Sequence, residues 1–290
     1  MFPIKSTREA VECIVCCRQR ERQYSYKKVY SSPVKVPRSP SSSLIHDRDF
    51  LNPQTIVITD KGNGSRMKIC AWTFDIVDHF DLKRQTAVIT IDIFDRFMAT
   101  RGNVVTPDFA LLSALASLFI ATKTNEQRKL RSQSLARFTR SQFSSYDIEE
   151  MESEILKGLS WLVHPPTAAS FLFPLTSFFP KEELCDSMKH LIFEKSQYIT
   201  ELAVFDTFFI DQPASLIAVA AMLITLHEEV RHLRVSHSCR NEFIHLVEKV
   251  LKCSKSPSFR VIQEKLVLLV REQKQEEYQR NEIKRSRYHS

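Results

Sequence analysis

Apolar side chains recur at helical spacing along most of the chain from residue 66 onwards. Ile69, Trp72, Ile76 and Phe80 lie three or four residues apart, which places them on one face of an α-helix. The segment 109–122 differs, because it is apolar nearly all round and rich in Ala and Ser. A helix that is apolar on every face lies inside a protein. We therefore expect 109–122 to be a buried central helix.

The same arrangement returns in the second half of the chain. Segment 214–226 is again apolar and rich in small residues, and it aligns with the first such segment at an offset of 103 residues. Thr106 before Pro107 predicts a helix start, and Ser145 is predicted to cap a later helix. Each half contains about five predicted helices around one central helix. The pattern therefore predicts an all-α protein made of two tandem five-helix domains.

Breaks in the apolar pattern predict the domain boundaries. Residues 1–43 read as a disordered, basic tail, in which a short helix around Glu9–Arg22 is possible. The tail contains a Ser/Pro-rich stretch over 31–43, which cannot build a core. The predicted segments after it are a lead-in over 44–64, a first helical domain over 65–163, a second over 164–272 and a charged tail over 273–290.

Composition then removes several classes of function. The chain has only four Gly, so it lacks the glycine-rich loops that cradle phosphates. No apolar run approaches the length of a membrane span. The nine His are scattered, and Cys13 and Cys16 have no second pair nearby to complete a zinc site. We therefore expect no enzyme activity, no cofactor, no metal site and no membrane contact.

Four motifs in order resemble the box that defines the cyclin family. An Arg lies six residues before a Trp, at Arg66 and Trp72, and "FDRFM" over 94–98 resembles the family's "LDRF". "IATKTNE" over 120–126 is similar to "ASKYEE", and "MESEIL" at 151–156 is followed by Trp161 and "PT". These motifs cover about 110 residues, and with a looser second repeat over 166–272 the resemblance covers about 70% of the chain. It implies two tandem cyclin-box folds.

The resemblance also implies a function and the residues that carry it. Members of the family are regulatory subunits that bind and activate a cyclin-dependent serine/threonine kinase in cell-cycle control, so the expected location is the nucleus, the cytoplasm or both. By their places in the motifs, Lys123, Glu152 and Glu126 are expected to contact the kinase. Arg66 and Asp95 are expected to form a structural ion pair between the first two helices of the box.

Two further sets of candidate residues follow from the family pattern. Ile69 and Trp72 are candidates for a substrate-docking patch, although the family's Met before the Arg is Ser65 here, and its polar residue on the small-residue helix is Leu111. Ser32 begins Ser-Pro-Val-Lys and Ser39 precedes Pro40, so both are candidate phosphorylation sites for proline-directed kinases.

Other interpretations of these features stay open. Residues 1–40 carry a net charge of +6 in a chain of +7, so the tail could contact nucleic acid or acidic surfaces. A cyclin-fold transcription factor, or a transcription-associated cyclin, is therefore the alternative. Nucleic acid binding is disfavoured because the rest of the chain is nearly neutral and the zinc ribbon of such factors is missing. For Lys123, the alternative role is a cation that favours the negative end of its helix.

Overall fold

The chain folds into helices throughout the part that the structure describes. The computed structural model describes residues 6–24, 63–101, 106–139, 141–180, 184–233, 235–253 and 256–287. These residues form eleven α-helices and a 3₁₀ turn at Thr207–Phe209, with no β-strand among them. The all-α prediction is therefore confirmed. The helices are α1 Thr7–Gln23, α2 Asn63–His79, α3 Arg84–Ala99, α4 Pro107–Asn125, α5 Ser132–Phe138, α6 Ser145–Gly158, α7 Ala168–Thr176, α8 Asp186–Phe205, α9 Ala214–Leu233, α10 His237–Leu251 and α11 Pro257–Arg287.

Helices α2–α6 form one unit, within residues 24–165, around the central helix α4. Helix α4 begins where the sequence predicts, with the Thr106 hydroxyl accepting from the Phe109 N–H at 3.3 Å and Pro107 in the first turn. All but one of its residues from Ala110 to Thr122 are buried. It packs mainly between α3 and α6. The apolar sequence of α4 is therefore explained by neighbours on several sides.

Helices α7–α11 form the second unit together with α1. Its central helix is α9, which packs on α7, α8 and α11 and is buried from Ser215 to Ala221. Small residues such as Ala218, Ala220 and Ala221 let the neighbouring helices approach closely. The two units divide between Pro165 and Pro166, two residues after the predicted boundary.

The predicted tail over residues 1–43 is not disordered throughout, because it contains helix α1. It packs on α7 and buries Ala10 and Ile14 completely, with Val11 and Cys17 partly buried beside them. These four positions form one apolar stripe on an otherwise charged helix. Burying Ile14 stabilises the docked helix by about 1.5–3 kcal/mol relative to an exposed Ile. The helix itself was possible from the sequence, but its docking was not predicted, because the stripe is short and its partner lies far along the chain.

Helix α11 also runs past a predicted boundary. The charged segment after residue 272 continues α11 as far as Arg287, giving a helix of 31 residues. Its second half contains neither Pro nor Gly and is rich in Glu, Gln, Lys and Arg, all good helix formers. Among the described helices, none is both long enough and apolar enough to cross a membrane.

Candidate functional site

The structure brings Lys123 and Glu152 together on the first unit. Lys123 lies in the last turn of α4, and Glu152 lies on α6, which packs against it. The Lys123 ammonium donates to both Glu152 carboxylate oxygens, at 2.8 and 2.7 Å. Its nitrogen also lies 3.8 Å from the centre of the Phe119 ring, a cation–π distance. Helix packing thus fixes a cation and an anion in one place.

This ion pair stays in contact with solvent. The Lys123 side chain is 39% exposed and the Glu152 side chain is 14% exposed. An exposed pair of this kind contributes at most about 1 kcal/mol to folding. The ammonium has a third donor and the carboxylate has further acceptor positions. The pair is therefore better suited to orienting two charges toward a partner than to stabilising the unit.

Glu126 has an internal role instead of an exposed one. Its carboxylate accepts from the Lys83 backbone N–H at 2.9 Å and from the Thr86 hydroxyl, and the side chain is only 9% exposed. Lys83 is the N-cap residue of α3, and its own side chain makes no capping hydrogen bond. Glu126 therefore satisfies an N–H at the start of α3, which the helix itself leaves without a partner.

Arg66 and Asp95 form a buried ion pair between α2 and α3. The Arg66 guanidinium donates two hydrogen bonds to the Asp95 carboxylate, at 2.9 and 2.7 Å. The two side chains are 10% and 4% exposed. Burial raises the pKa of Asp95 above its usual range, while the Arg66 charge opposes that rise. Burial likewise raises the pKa of the neighbouring Cys70 thiol to about 12, so this thiol is protonated at neutral pH.

The two residues predicted to form a docking patch do not reach the surface. Ile69 is 2% exposed and Trp72 is 3% exposed. The Trp72 indole nitrogen is buried, with no hydrogen-bond partner among the described residues. Leu111 is also buried, at 3% exposure, so it adds no accessible area either. The structure therefore places these side chains in the core of the first unit and offers no open patch at Ile69 and Trp72.

Trp161, in contrast, is an exposed aromatic side chain that motif matching did not single out as a site residue. It follows the end of α6 and is 71% exposed, and the next residue, Leu162, is 39% exposed. Both Ser160 and Trp161 have positive φ angles, 50° and 64°. The left-handed conformation costs about 1–2 kcal/mol for a residue other than Gly. The sequence shows only a Trp after an amphipathic helix, which is equally typical of a core residue.

Contacts from other elements hold the backbone around Trp161. Its N–H donates to the Leu156 carbonyl at 2.9 Å. Arg96 on α3 donates to the Leu162 carbonyl at 2.6 Å. The exposed indole is thus presented from a fixed turn. Large exposed aromatic groups on ordered backbone are typical of protein-binding surfaces.

The remaining candidate residues lie elsewhere or outside the described chain. Ser32 and Ser39 fall outside the described residues, so the phosphorylation sites stay predictions. All seven cysteines, including Cys13, Cys16 and Cys17, are free thiols. Within the described ranges no group of three or more metal-ligating side chains comes together.

Comparison with known proteins relates the chain to cyclins. The family model described as cyclin, N-terminal domain, matches residues 43–164. The chain is 29% identical over 155 residues to a G1/S-specific cyclin-E1 of Gallus gallus, covering 52% of this chain and 38% of the relative. It is 31% identical over 174 residues to the G1/S-specific cyclin CLN2 of Candida albicans, covering 56% and 37%. The matched region thus spans less than two fifths of these relatives' length.

A solved structure supports the likeness at the level of the fold. The viral cyclin from herpesvirus saimiri superposes with a TM-score of 0.51 at 15% sequence identity. The match covers 71% of this chain and 97% of the viral protein. At this identity the likeness concerns the fold alone.

Proposed function

We propose that the chain, whose residues 43–164 match the N-terminal domain of cyclins, is a regulatory subunit that binds a cyclin-dependent serine/threonine kinase and activates it. The curated relatives are named as G1/S-specific cyclins, which supports a role in cell-cycle control. In this role the chain performs no chemistry itself. It contributes a surface that favours one arrangement of its partner.

The observation that carries the proposal is the oriented Lys123–Glu152 pair on the first unit. Two helices hold these charges at fixed positions, yet both side chains keep free hydrogen-bonding capacity. The family motifs place kinase-contacting residues at these two positions. An ammonium at the surface can donate to main-chain carbonyls of a partner, and a carboxylate can accept from main-chain N–H groups.

Trp161 supplies the apolar component of the proposed surface. It lies in the turn that follows α6, the helix that carries Glu152. Interfaces depend on a few large anchors, among which Trp and Tyr are over-represented. A mostly exposed indole loses its contact with water when a partner covers it. We therefore place Trp161 in the same kinase-binding surface as Lys123 and Glu152.

The proposed mechanism is a shift between two states of the kinase. A protein kinase is active only when the Lys–Glu ion pair involving its αC helix is assembled. A subunit that binds the assembled state more tightly than the other shifts the population toward it. The free energy for activation then comes from the contacts of Lys123, Glu152 and Trp161, made fully only in the active arrangement.

The test uses purified cyclin-dependent kinases, each mixed with the full chain and assayed for binding and for phosphorylation of a common substrate. At least one kinase should bind and gain activity. The variant Lys123→Ala/Glu152→Ala should bind that kinase at least about thirtyfold more weakly, equivalent to about 2 kcal/mol for a hot spot. Trp161→Ala should weaken binding similarly, with little change in thermal unfolding because the side chain is exposed.

A matched control is available in a second ion pair of the same unit. Arg101 pairs with Glu154 on α6, and Glu154 lies about 200° around the helix from Glu152. The variant Arg101→Ala/Glu154→Ala should bind and activate like the wild type. If no kinase in the panel is bound or activated, the proposed function is wrong. If both double variants bind equally well, the function stands but the surface has been misplaced.

A further inference from the structure

The segment between α4 and α6 is strongly basic. Residues 127–146 contain five Arg or Lys and not one Asp or Glu. The short helix α5 lies in the middle of this segment. Arg128, Lys129 and Arg131 precede or begin it, and Arg137 lies in its last turn. Such a one-sided segment stands out in a chain whose charges are nearly balanced outside the first forty residues.

Four of these cations are exposed and have no ionic partner among the residues that the structure describes. Arg128, Lys129, Arg131 and Arg137 are all exposed, and none makes an ion pair or side-chain hydrogen bond with any described residue. Among the described residues of the first unit, most of the other cations are paired with a carboxylate. The pairs are Arg66–Asp95, Lys83–Glu126, Arg84–Asp78, Arg96–Asp92, Arg101–Glu154 and Lys123–Glu152. Within the described part of the chain, the positive charge of these four cations is therefore not balanced by a paired carboxylate.

The backbone beneath these cations is held in place. The Ser132 hydroxyl donates to the Glu149 carboxylate of α6 at 2.7 Å. Leu135 and Ala136 are buried. The centre of the Phe138 ring lies 5.7 Å from the centre of the ring of Phe80, the residue that follows α2. Two faces of α5 thus pack on the unit. The side chains of the four cations project from an ordered support.

The spacing of the cations suits an extended chain with several negative groups. Arg131 and Arg137 are separated by about 9 Å along the helix axis, which an extended peptide spans in about three residues. Arg guanidinium groups bind carboxylates through two parallel hydrogen bonds. The cations are exposed and spread out, so they match a series of carboxylates better than a single anion enclosed in a pocket.

We propose that Arg128, Lys129, Arg131 and Arg137 form a docking surface, here called the α5 basic surface, for an Asp/Glu-rich segment of a protein partner. In the setting of the proposed function, that partner is a substrate or regulator brought to the kinase complex. The role in recruitment rests on the proposed function. The binding itself does not, and it can be measured on the free chain.

The test is fluorescence anisotropy of the full chain with a labelled peptide of alternating Glu and Gly. The variant Arg128→Gln/Arg131→Gln/Arg137→Gln should bind this peptide about tenfold more weakly or worse, since several exposed charge pairs are lost together. The control Lys157→Gln/Lys249→Gln/Arg271→Gln removes three exposed cations elsewhere that pair with no described carboxylate, and it should bind within about twofold of wild type. Binding by the wild type should disappear at about 1 M salt, where the screening length is about 3 Å.

Three further arms separate this proposal from others. A matching peptide of Gln and Gly should not bind. A single-stranded DNA or a phosphoserine peptide that binds while the Glu peptide does not would overturn the proposal. Equal weakening by both triple variants would also overturn it, because net charge alone would then explain the binding.

Correct folding and independence from the kinase are checked on the same variants. All three changes at the α5 basic surface are on exposed side chains, so the thermal unfolding curve should match that of wild type. The variant Arg128→Lys/Arg131→Lys/Arg137→Lys keeps the charge and should retain most of the binding to the Glu peptide. Kinase binding should be unaffected in both variants. If the wild type binds the Glu peptide but no kinase, the proposed function fails and this surface stands.

Discussion

At the scale of single residues, the buried Arg66–Asp95 pair is the most consequential interaction of the first unit. Two charges have been removed from water, and two hydrogen bonds join them. Taking ions into the interior costs several kcal/mol each, which the pairing offsets only with good geometry. The pair therefore specifies how α2 meets α3 more than it adds to the net stability.

This balance predicts unequal effects of single and double substitutions. Asp95→Leu leaves a buried guanidinium without its partner and should lower the free energy of unfolding by about 3–5 kcal/mol. Arg66→Met/Asp95→Leu removes both charges and should lower it much less than the single change does. Urea denaturation of wild type, single and double variants measures both values. If the double variant is less stable than the single one, the explanation by an unpaired charge fails.

At the scale of elements, the start of α6 shows how local side-chain bonds fix a helix that carries Glu152. The Ser144 hydroxyl accepts from the Asp147 N–H at 3.2 Å, and the Asp147 carboxylate accepts from the Ser144 N–H at 2.7 Å. Together these bonds form a capping box. Sequence reasoning predicted a Ser cap but chose Ser145, one residue too late, because two Ser in succession offer the same chemistry.

Loss of this cap should be measurable and depend on pH. Ser144→Ala should lower the free energy of unfolding by about 1 kcal/mol at pH 7. The hydrogen bonds from Ser144 hold the pKa of Asp147 below its usual value near 3.8. A lowered pKa in the folded state contributes stability that is present above about pH 3.8 and is lost as the pH falls through the folded pKa.

The pH dependence is read from a second variant at the same cap. Asp147→Asn should destabilise the protein at pH 6, and its difference from wild type should shrink steadily below pH 4, as followed by denaturant titrations. A difference that stays constant down to pH 2 would show that the charge of Asp147 is irrelevant to the cap.

At the scale of the whole molecule, α1 is part of the second unit although it comes first in the chain. The Arg18 guanidinium donates to the Leu251 carbonyl at 2.7 Å, at the end of α10. The Glu21 carboxylate accepts from the Ser215 N–H and from its hydroxyl, both at 2.8 Å, at the start of α9. These polar bonds complete two helix ends and fix the register of α1 on the unit.

Removing the apolar anchor of α1 should therefore weaken the second unit. Ile14→Ala creates a cavity at a fully buried position and should cost about 2–5 kcal/mol of the free energy of unfolding. Hydrogen exchange should then show faster exchange in α1 and α7, with the helices of the first unit unchanged. Val15→Ala, at a neighbouring position that is 45% exposed, is the control and should change little. Equal exchange in the two variants would mean that α1 does not depend on this contact.

The parts of the fold that could be predicted are those that short stretches of sequence determine. Helix α4 is recognisable because its apolar pattern and the Thr106–Pro107 start are local. The docking of α1 depends on residues that lie far along the chain, and the sequence of α1 alone does not identify them. The burial of Trp72 and the exposure of Trp161 likewise depend on tertiary packing, because a lone Trp in a helical pattern is compatible with either. The sequence predicts that Glu126 contacts the kinase. Its motif position does not show that its carboxylate accepts a hydrogen bond from the Lys83 N–H.

The contact between α1 and the end of α10 also has a consequence for biosynthesis. Arg18 leaves the ribosome well before Leu251, which lies 233 residues later. At a synthesis rate of about 5–20 residues per second, that interval lasts roughly 10–50 s. For most of this time α7, on which the apolar stripe of α1 packs, has not been made either, while the helices of the first unit are already available to fold. A nascent chain stalled before α7 should therefore present α1 to chaperones and proteases, and completion of the second unit should withdraw it.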